Sequence, residues 1–497
     1  MPETPSRTAT RRQAGIWKPD VAVVGLGLAG GMAALSAADE GARVIVFEKM
    51  ESGGGCARAS SAQLSGACSK LQLQAGIKDS PTLHYAEAMA IGEYANVSRI
   101  LRVACENAGA MIDWLQEAGA PIYLSQQAAH EAYSIQRTCA VLRDKIVGPG
   151  GGGMNLFEAV YAELKKRVQR GDVRVLFNTS ATQLVMKNGA VAGIKAATHE
   201  GKEIEYAVKA VIFACGGFAG NAKMVSEYNP HLKNVLVFPL LAQFANGDHM
   251  LMGQSVGAGV TRKGYATGYP GGIEDPEHPG LCAYIAGMKQ YPGAVWLDKN
   301  GKRFTNENTA SDTEKENAVI SVPDCIVYVV LDRKIKEENP PIIEGNFTTP
   351  GLDWKQFEEE AARNRLVKSG ATLEELAAKT GMDAATLKKT ISSYNACVDA
   401  GHDPEFGRKE LKYKLENPPF YAIRTAPRIL SGMPGDGILV NEDMMALDSN
   451  GKVIPGLFAA GDSIGTAAVA GKHPVAGFAL TPALIFGRIA GRNAARV

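Results

Sequence analysis

From Asp20 the chain alternates cleanly between apolar runs and punctuation: DVAVVGLGLAGGMAALSAADEGARVIVFEKM. Val21 to Val24 is an unbroken apolar run, as a strand buried on both faces requires. Gly25, Gly27 and Gly30 punctuate the turn that follows. Ala29 to Asp39 then reads as an alanine-rich helix, with Gly41 just past its end. Arg43 to Phe47 returns to an apolar strand and stops at Glu48. Strand, glycine turn, helix and strand predict a βαβ unit of a parallel sheet. Asn155 to Arg167 reads as a further helix, led in by the flexible run Gly148 to Gly153. The middle of the chain has another texture. Residues 353–415 are charged and helical in period. Leu373, Leu376 and Ala377 share one face, and Leu387, Ile391, Tyr394 and Val398 share another over Met382 to Val398. Asn395 and Asp403 read there as exposed caps or turns. Near the end, Thr481 reads as an N-cap with Pro482 at the first helical position, opening an apolar helix that ends near Gly491.

The spacing Gly25, Gly27, Gly30 is G-x-G-x-x-G in the context a dinucleotide site requires. Gly25 permits the tight turn, Gly27 lets the backbone approach a pyrophosphate, and Gly30 lets helix and strand pack closely. The helix N-terminus offers amide donors and a positive dipole end to phosphate. Glu48 follows Gly25 at a distance that suits a ribose diol. The fingerprint alone leaves FAD and NAD open.

Composition narrows the class. At 497 residues the chain is long enough for about three domains, or two with one split in sequence. Charged residues are 21% and hydrophobic ones 45%, which excludes a disordered or fibrous chain. Lys plus Arg is 53 and Asp plus Glu is 52, so no basic footprint for nucleic acid or anionic membrane exists. No apolar run is long enough for a spanning helix. The eight cysteines are scattered and form no C-x-x-C pair, which suggests reduced thiols, a cytoplasmic setting and no zinc site. Arg11-Arg12 is followed by no apolar h-region, so Met1 to Pro19 reads as a short lead-in.

Four segments carry a family resemblance. Glu48 to Ala67, EKMESGGGCARASSAQLSGA, resembles the glycine-rich flavin segment of the fumarate reductase and succinate dehydrogenase flavoprotein superfamily. Lys209 to Asn221, KAVIFACGGFAGN, is similar to its strand-to-GGF turn. Asn246 to His249 resembles its N-G-D-G turn, with His249 in place of the last glycine. Ile454 to Asp462, IPGLFAAGD, is similar to its "PGLYAAGE" strand, and Ala476 to Ala490 fits its closing helix. The resemblance implies an α/β fold: a Rossmann-like FAD-binding domain split in sequence, over 1–256 and 420–497, with an inserted α+β capping domain over 257–419. It implies FAD, with contacts from Gly25, Gly27, Gly30, Glu48, Lys49, Gly55, Cys56, Ser61, Ala181, Ala214, Gly216, Asp248, Gly461, Asp462, Ala479 and Leu480. Cys56 and Cys215 read as small packing residues in those segments. The glycine-rich segment holds no histidine for covalent attachment, so the expected FAD is non-covalent.

The resemblance also implies a reaction type. Hydride passes between flavin N5 and one carbon of a C–C bond, while a protein group moves a proton at its neighbour and another polarises a carbonyl. Gly301 to Asp312, GKRFTNENTASD, is similar to the family's "G.RF.NE…R", with Ser311 where a proton-donor arginine is expected. Ser431 and Pro474 stand where the family has a substrate histidine and arginine. His473 to Gly487, HPVAGFALTPALIFG, is closer to "YPGPG…GPALTFG" of the 3-ketosteroid dehydrogenases, whose tyrosine and glycine bind a ketone oxygen. Those positions hold His473 and Gly477, and that branch's cap tyrosine again falls at Ser311. Tyr265, Tyr269, Tyr284 and Tyr291 are the substitutes for proton transfer, Tyr265 and Tyr269 first. The expectation is a dehydrogenase or reductase of an enone-like or ketosteroid-like substrate, with an unidentified electron donor or acceptor. One alternative is a fumarate reductase-like enzyme using Arg303, Arg424 or Arg428. Another is an electron-transfer flavoprotein subunit with no substrate of its own.

Overall fold

The computed structural model describes residues 17–126, 133–146, 151–266, 268–286, 293–309, 311–339, 342–345, 349–429, 435–473 and 477–497. Its first sheet has six strands in the order Met445–Leu447, Val453–Ala459, Ala210–Phe213, Val21–Val24, Val44–Phe47, Val173–Leu176. All neighbours run parallel except the Met445–Leu447 edge. The strands Val21–Val24, Val44–Phe47 and Ala210–Phe213 are buried throughout. That explains their unbroken apolar runs, because helices cover both faces of such a sheet.

The helix Leu28–Asp39 follows the glycine turn, and the last helix, Leu480–Ala494, packs along it. Their approach is set by glycine. A Cβ on Gly487 would lie 2.3 Å from Ala29 O, and one on Gly491 2.2 Å from Ala33 O. The last helix begins earlier than the capping pattern predicts. Ala479 is its N-cap, and Thr481 lies inside the first turn. The Thr481 hydroxyl instead accepts the amide of Ser65 at 3.0 Å, so it ties the helix to the short strand Leu64–Ser65. Pro482 is tolerated because a first-turn amide needs no intrahelical partner.

A second sheet of eight strands runs Val295–Asp298, Val327–Asp332, Phe420–Ile429, Tyr269–Glu274, Cys282–Ala286, Ile343–Gly345, with Leu236–Val237 and Val367–Gly370 also paired to Phe420–Ile429. Phe420–Ile429 lies past the expected boundary at 419, yet all its strand partners belong to this sheet. A second apolar core lies under it, including Phe357, Leu376, Leu387, Ile391 and Tyr394. The helices Leu373–Thr380 and Ala384–Ala400 supply that core and are capped by the side chains of Thr372 and Asp383.

Two polar residues of this region differ from expectation. Asp403 is not an exposed turn residue but is 1% exposed. It pairs with Arg303 at 2.8 Å and accepts the amides of Phe406 and Arg408. Asn395 both donates to Leu415 O at 3.0 Å and accepts the Leu415 amide at 2.8 Å. Each pins the loop after the helix to the core, a tertiary pairing that local sequence does not encode.

Candidate cofactor and substrate site

A cleft of about 870 Å³, its solvent-filled mouth included, opens at the carboxyl ends of the parallel strands, where such sheets bind ligands. Gly25, Gly27, Glu48, Lys49, Gly55 and Cys56 line it from the N-terminal βαβ unit. Ala181, Ala214, Gly216 and Asp248 line it from the middle of the chain, and Gly461, Asp462, Ala479 and Leu480 from the end. Gly30 and Ser61 lie outside the lining. Gly30 instead sits against Gly25, where a Cβ would meet Gly25 O at 2.0 Å. Ser61 is exposed. The lining also includes Thr179, Ser180 and Phe244. These carry no glycine or acid signature, and only the turn of Thr179 onto Glu48, with Thr179 N donating to Glu48 O at 2.9 Å, brings that strand in.

The lining fits a dinucleotide. Gly25 has φ +96°, and a Cβ there would meet Ala214 O at 2.6 Å, so the turn folds tightly over the neighbouring strand. Gly27 is the N-cap of Leu28–Asp39 and makes no side-chain cap. A Cβ at Gly27 would have only Gly54 O nearby, at 4.0 Å. The space beside the helix N-terminus is therefore open, and its amides face it as a phosphate site would need. Glu48 accepts the amides of Leu26 at 2.8 Å and Met50 at 2.9 Å. Burial raises its pKa, while those amides pull it down. A carboxylate has about four lone-pair sites, so room is left for a diol. Lys49 and Asp248 pair at 2.7 Å on the lining. Burial pushes Asp462 up to about 7, so its carboxyl is poised to donate or accept. The same effect pushes Cys215 up to about 12, which leaves a thiol and not a nucleophilic thiolate. His249, next to Asp248, is fully buried, and neither ring nitrogen has a hydrogen-bond partner among the described residues.

The substrate-side candidates fall into three places. His473 pairs through Nε2 with Glu93 Oε1 at 2.8 Å, and Lys472 takes Glu93 Oε2 at 2.8 Å. His473 Nδ1 is buried and has no hydrogen-bond partner among the described residues. Tyr265 lies in this neighbourhood, with Lys263 Nζ 5.8 Å from its ring centre and an electrostatic interaction with Lys472. Tyr269 sits apart on the second sheet, opposite Arg428 in register, with the guanidinium 5.3 Å from its ring centre. Tyr284 is on the adjoining strand, where burial raises its pKa. Gly477 has φ +71°, and a Cβ there would lie 2.2 Å from Leu64 C, so close packing alone requires glycine. Ser311 is a helix N-cap and accepts the Glu314 amide at 3.2 Å. Tyr291, Ser431 and Pro474 lie outside the described residues.

The arginines divide as well. Arg303 is not available to a substrate. It is 6% exposed, forks onto Glu307 at 2.8 and 2.7 Å and pairs with Asp403. Arg424 faces Glu274 at 3.5 Å.

Among the described residues no helix is long and apolar enough to cross a membrane. The family model described as "FAD binding domain" matches residues 20–480. The NADH:fumarate oxidoreductase of Klebsiella pneumoniae (strain 342) is 32% identical over 96% of this chain and 48% of its own, so the chain spans about half the length of that relative. The urocanate reductase of Eggerthella lenta is 30% identical over 96% of this chain and 74% of its own. A 3-ketosteroid Δ1-dehydrogenase from Sterolibacterium denitrificans shares the fold at a TM-score of 0.74 and 21% identity, over 96% of this chain and 99% of its own. With the glycine turn, Glu48 and the open helix N-terminus in place, the match over nearly the whole chain means that this protein belongs to the FAD-binding family of flavin-dependent oxidoreductases.

Proposed function

We propose that the chain reduces a carbon–carbon double bond conjugated to a carbonyl group. Bound FAD supplies the hydride chemistry at the β carbon. The chain's own groups then polarise the carbonyl and move a proton at the α carbon. The observation that carries this reading is His473, held at Nε2 by Glu93, with Nδ1 buried and without a hydrogen-bond partner among the described residues. In this reading Nδ1 is the nitrogen left for a substrate oxygen. The Gly477 amide is the second donor in this reading, and Tyr265 or Tyr269 moves the proton. Gly25, Gly27 and the helix N-terminus hold the pyrophosphate, Glu48 the ribose, and Asp462 with Ala479 and Leu480 the flavin end. FAD is dissociable, because Glu48 to Ala67 contains no histidine. Electrons reach it from a donor that the described residues do not include.

A second reading is favoured by the names of the two relatives: the substrate is an unsaturated acid. Arg303 is locked away, so Arg424 or Arg428 would have to hold its carboxylate. One experiment separates the two. The purified protein is photoreduced without oxygen and mixed with cyclic enones and ketosteroids, or with fumarate-like and urocanate-like acids. Reoxidation by an enone, abolished in His473→Ala, supports the first reading. Reoxidation by acids alone, unchanged in His473→Ala, overturns it. Silence from both panels would favour an electron-transfer role.

A further inference from the structure

We propose that Glu93 is the positioning residue of the substrate site: its carboxylate holds His473 by Nε2 so that Nδ1 faces the substrate oxygen. This rests on the role proposed for His473 above. Glu93 follows the helix Pro81–Ile91 with φ +51°, and Tyr94 beside it has φ +58°. Two successive non-glycine residues in the left-handed region need surroundings that hold them there. The surroundings are specific. Lys472 N donates to Gly92 O at 3.3 Å, and Val97 N donates to Ala468 O at 2.9 Å. Asn96 Nδ2 donates to Val469 O at 2.6 Å. A Cβ on Gly471 would meet Gly92 O at 2.4 Å. The Glu93 turn is therefore locked to the segment that carries His473, and the carboxylate is delivered onto that segment's two basic side chains.

The chemistry follows from which atoms are used. Lys472 and His473 bond Glu93 and hold its pKa down at about 2, so it is an acceptor at every working pH. It must take a proton-bearing Nε2. Nδ1 then carries a lone pair in the neutral ring and a proton only in the imidazolium. The imidazolium is the form that can donate to a developing enolate oxygen. The side chain of Glu93 is 51% exposed and that of His473 13%, so the acid sits on the water side and the ring inside. The other charged groups nearby are accounted for. Lys263 donates through Nζ to Ala95 O. Asp436 is taken by the amides of Lys263 and Gly264. Glu87 pairs with Arg137, and Arg99 faces Glu442.

The test compares Glu93→Gln, Glu93→Asp and His473→Ala on the FAD-loaded protein, with the flavin spectrum as the check that each is folded. With the best enone of the panel, E93Q is expected to lower kcat by roughly 10-fold or more with little change in KM. E93D is expected to restore part of the loss. A normal kcat in E93Q, with H473A inactive, overturns the role of Glu93 alone. An H473A enzyme with full turnover overturns the reading of His473 on which it rests.

Discussion

Lys49 and Asp248, 199 residues apart in sequence, meet at 2.7 Å on the lining of the cleft. Lys49 lies two residues past the strand Val44–Phe47, and Asp248 opens the helix Asp248–Ser255. The pair is half-exposed, so its direct worth to stability is small. Its effect is to fix two segments of the cleft relative to each other. Lys49→Met or Asp248→Asn is expected to weaken FAD binding about 10-fold, as loss of one charge-assisted contact would. Flavin fluorescence during titration of the apoprotein measures this, and an unchanged affinity would show that the pair is incidental.

The glycine seam between the first and last helices makes a different prediction. Gly487 and Gly491 meet backbone oxygens, which cannot swing aside as side-chain atoms can. Gly487→Ala or Gly491→Ala is expected to cost about 1–3 kcal/mol through overpacking. Thermal unfolding should show a lower Tm, and FAD should be lost more readily, because Ala479 and Leu480 at the start of that helix line the cleft.

Acid stability should depend on His249. Burial holds its pKa down at about 4, against the ordinary 6.5. Between those values the unfolded chain binds a proton that the folded chain does not. Stability is therefore full above pH 6.5 and falls as pH is lowered toward 4, by up to about 3 kcal/mol. His249→Gln should flatten the decline of Tm between pH 6.5 and 4.5. His84, held at about 3 by burial, should preserve a remaining slope. An identical slope in the variant would mean that His249 is protonated in the fold.

Arg303 should behave as a residue of the second core. Burial alone would raise the Asp403 pKa, but the Arg303 guanidinium and backbone amides hold it below the usual range. Arg303→Met leaves Asp403 without its cation and Glu307 with only Arg408 at 3.2 Å. Loss of one partner of a buried pair costs roughly 3–5 kcal/mol. Differential scanning should show a large drop in Tm. A selective rise in KM for acids, with Tm unchanged, would instead place Arg303 at the substrate.

Much of the cofactor cleft was legible from sequence because its constraints are local. Gly25 needs positive φ, the strand before it needs a continuous apolar run, and both leave marks within a few residues. Thr179, Ser180 and Phe244 left no such mark, because a strand docked beside Glu48 brings in the first two and the turn after the short helix Pro239–Ala242 brings in the third. The same holds for Asp403, whose partner lies 100 residues earlier. Thr481 misled for the opposite reason. Its local pattern is that of a cap, and a tertiary bond to Ser65 outweighs it. The expected Gly30 contact is also local, but its neighbour is Gly25 and not the cleft.

The glycine seam that joins Leu28–Asp39 to Leu480–Ala494 has a consequence for how the molecule is made. One wall of the cleft leaves the ribosome well before the opposite wall, because the two helices lie far apart along the chain. A parallel sheet that must wait for so distant a partner folds slowly and exposes its apolar face meanwhile. A complete flavin cleft thus has to wait for the last helix. Shortage of the vitamin precursor would then show itself as aggregation of newly made chains before it showed itself as inactive enzyme.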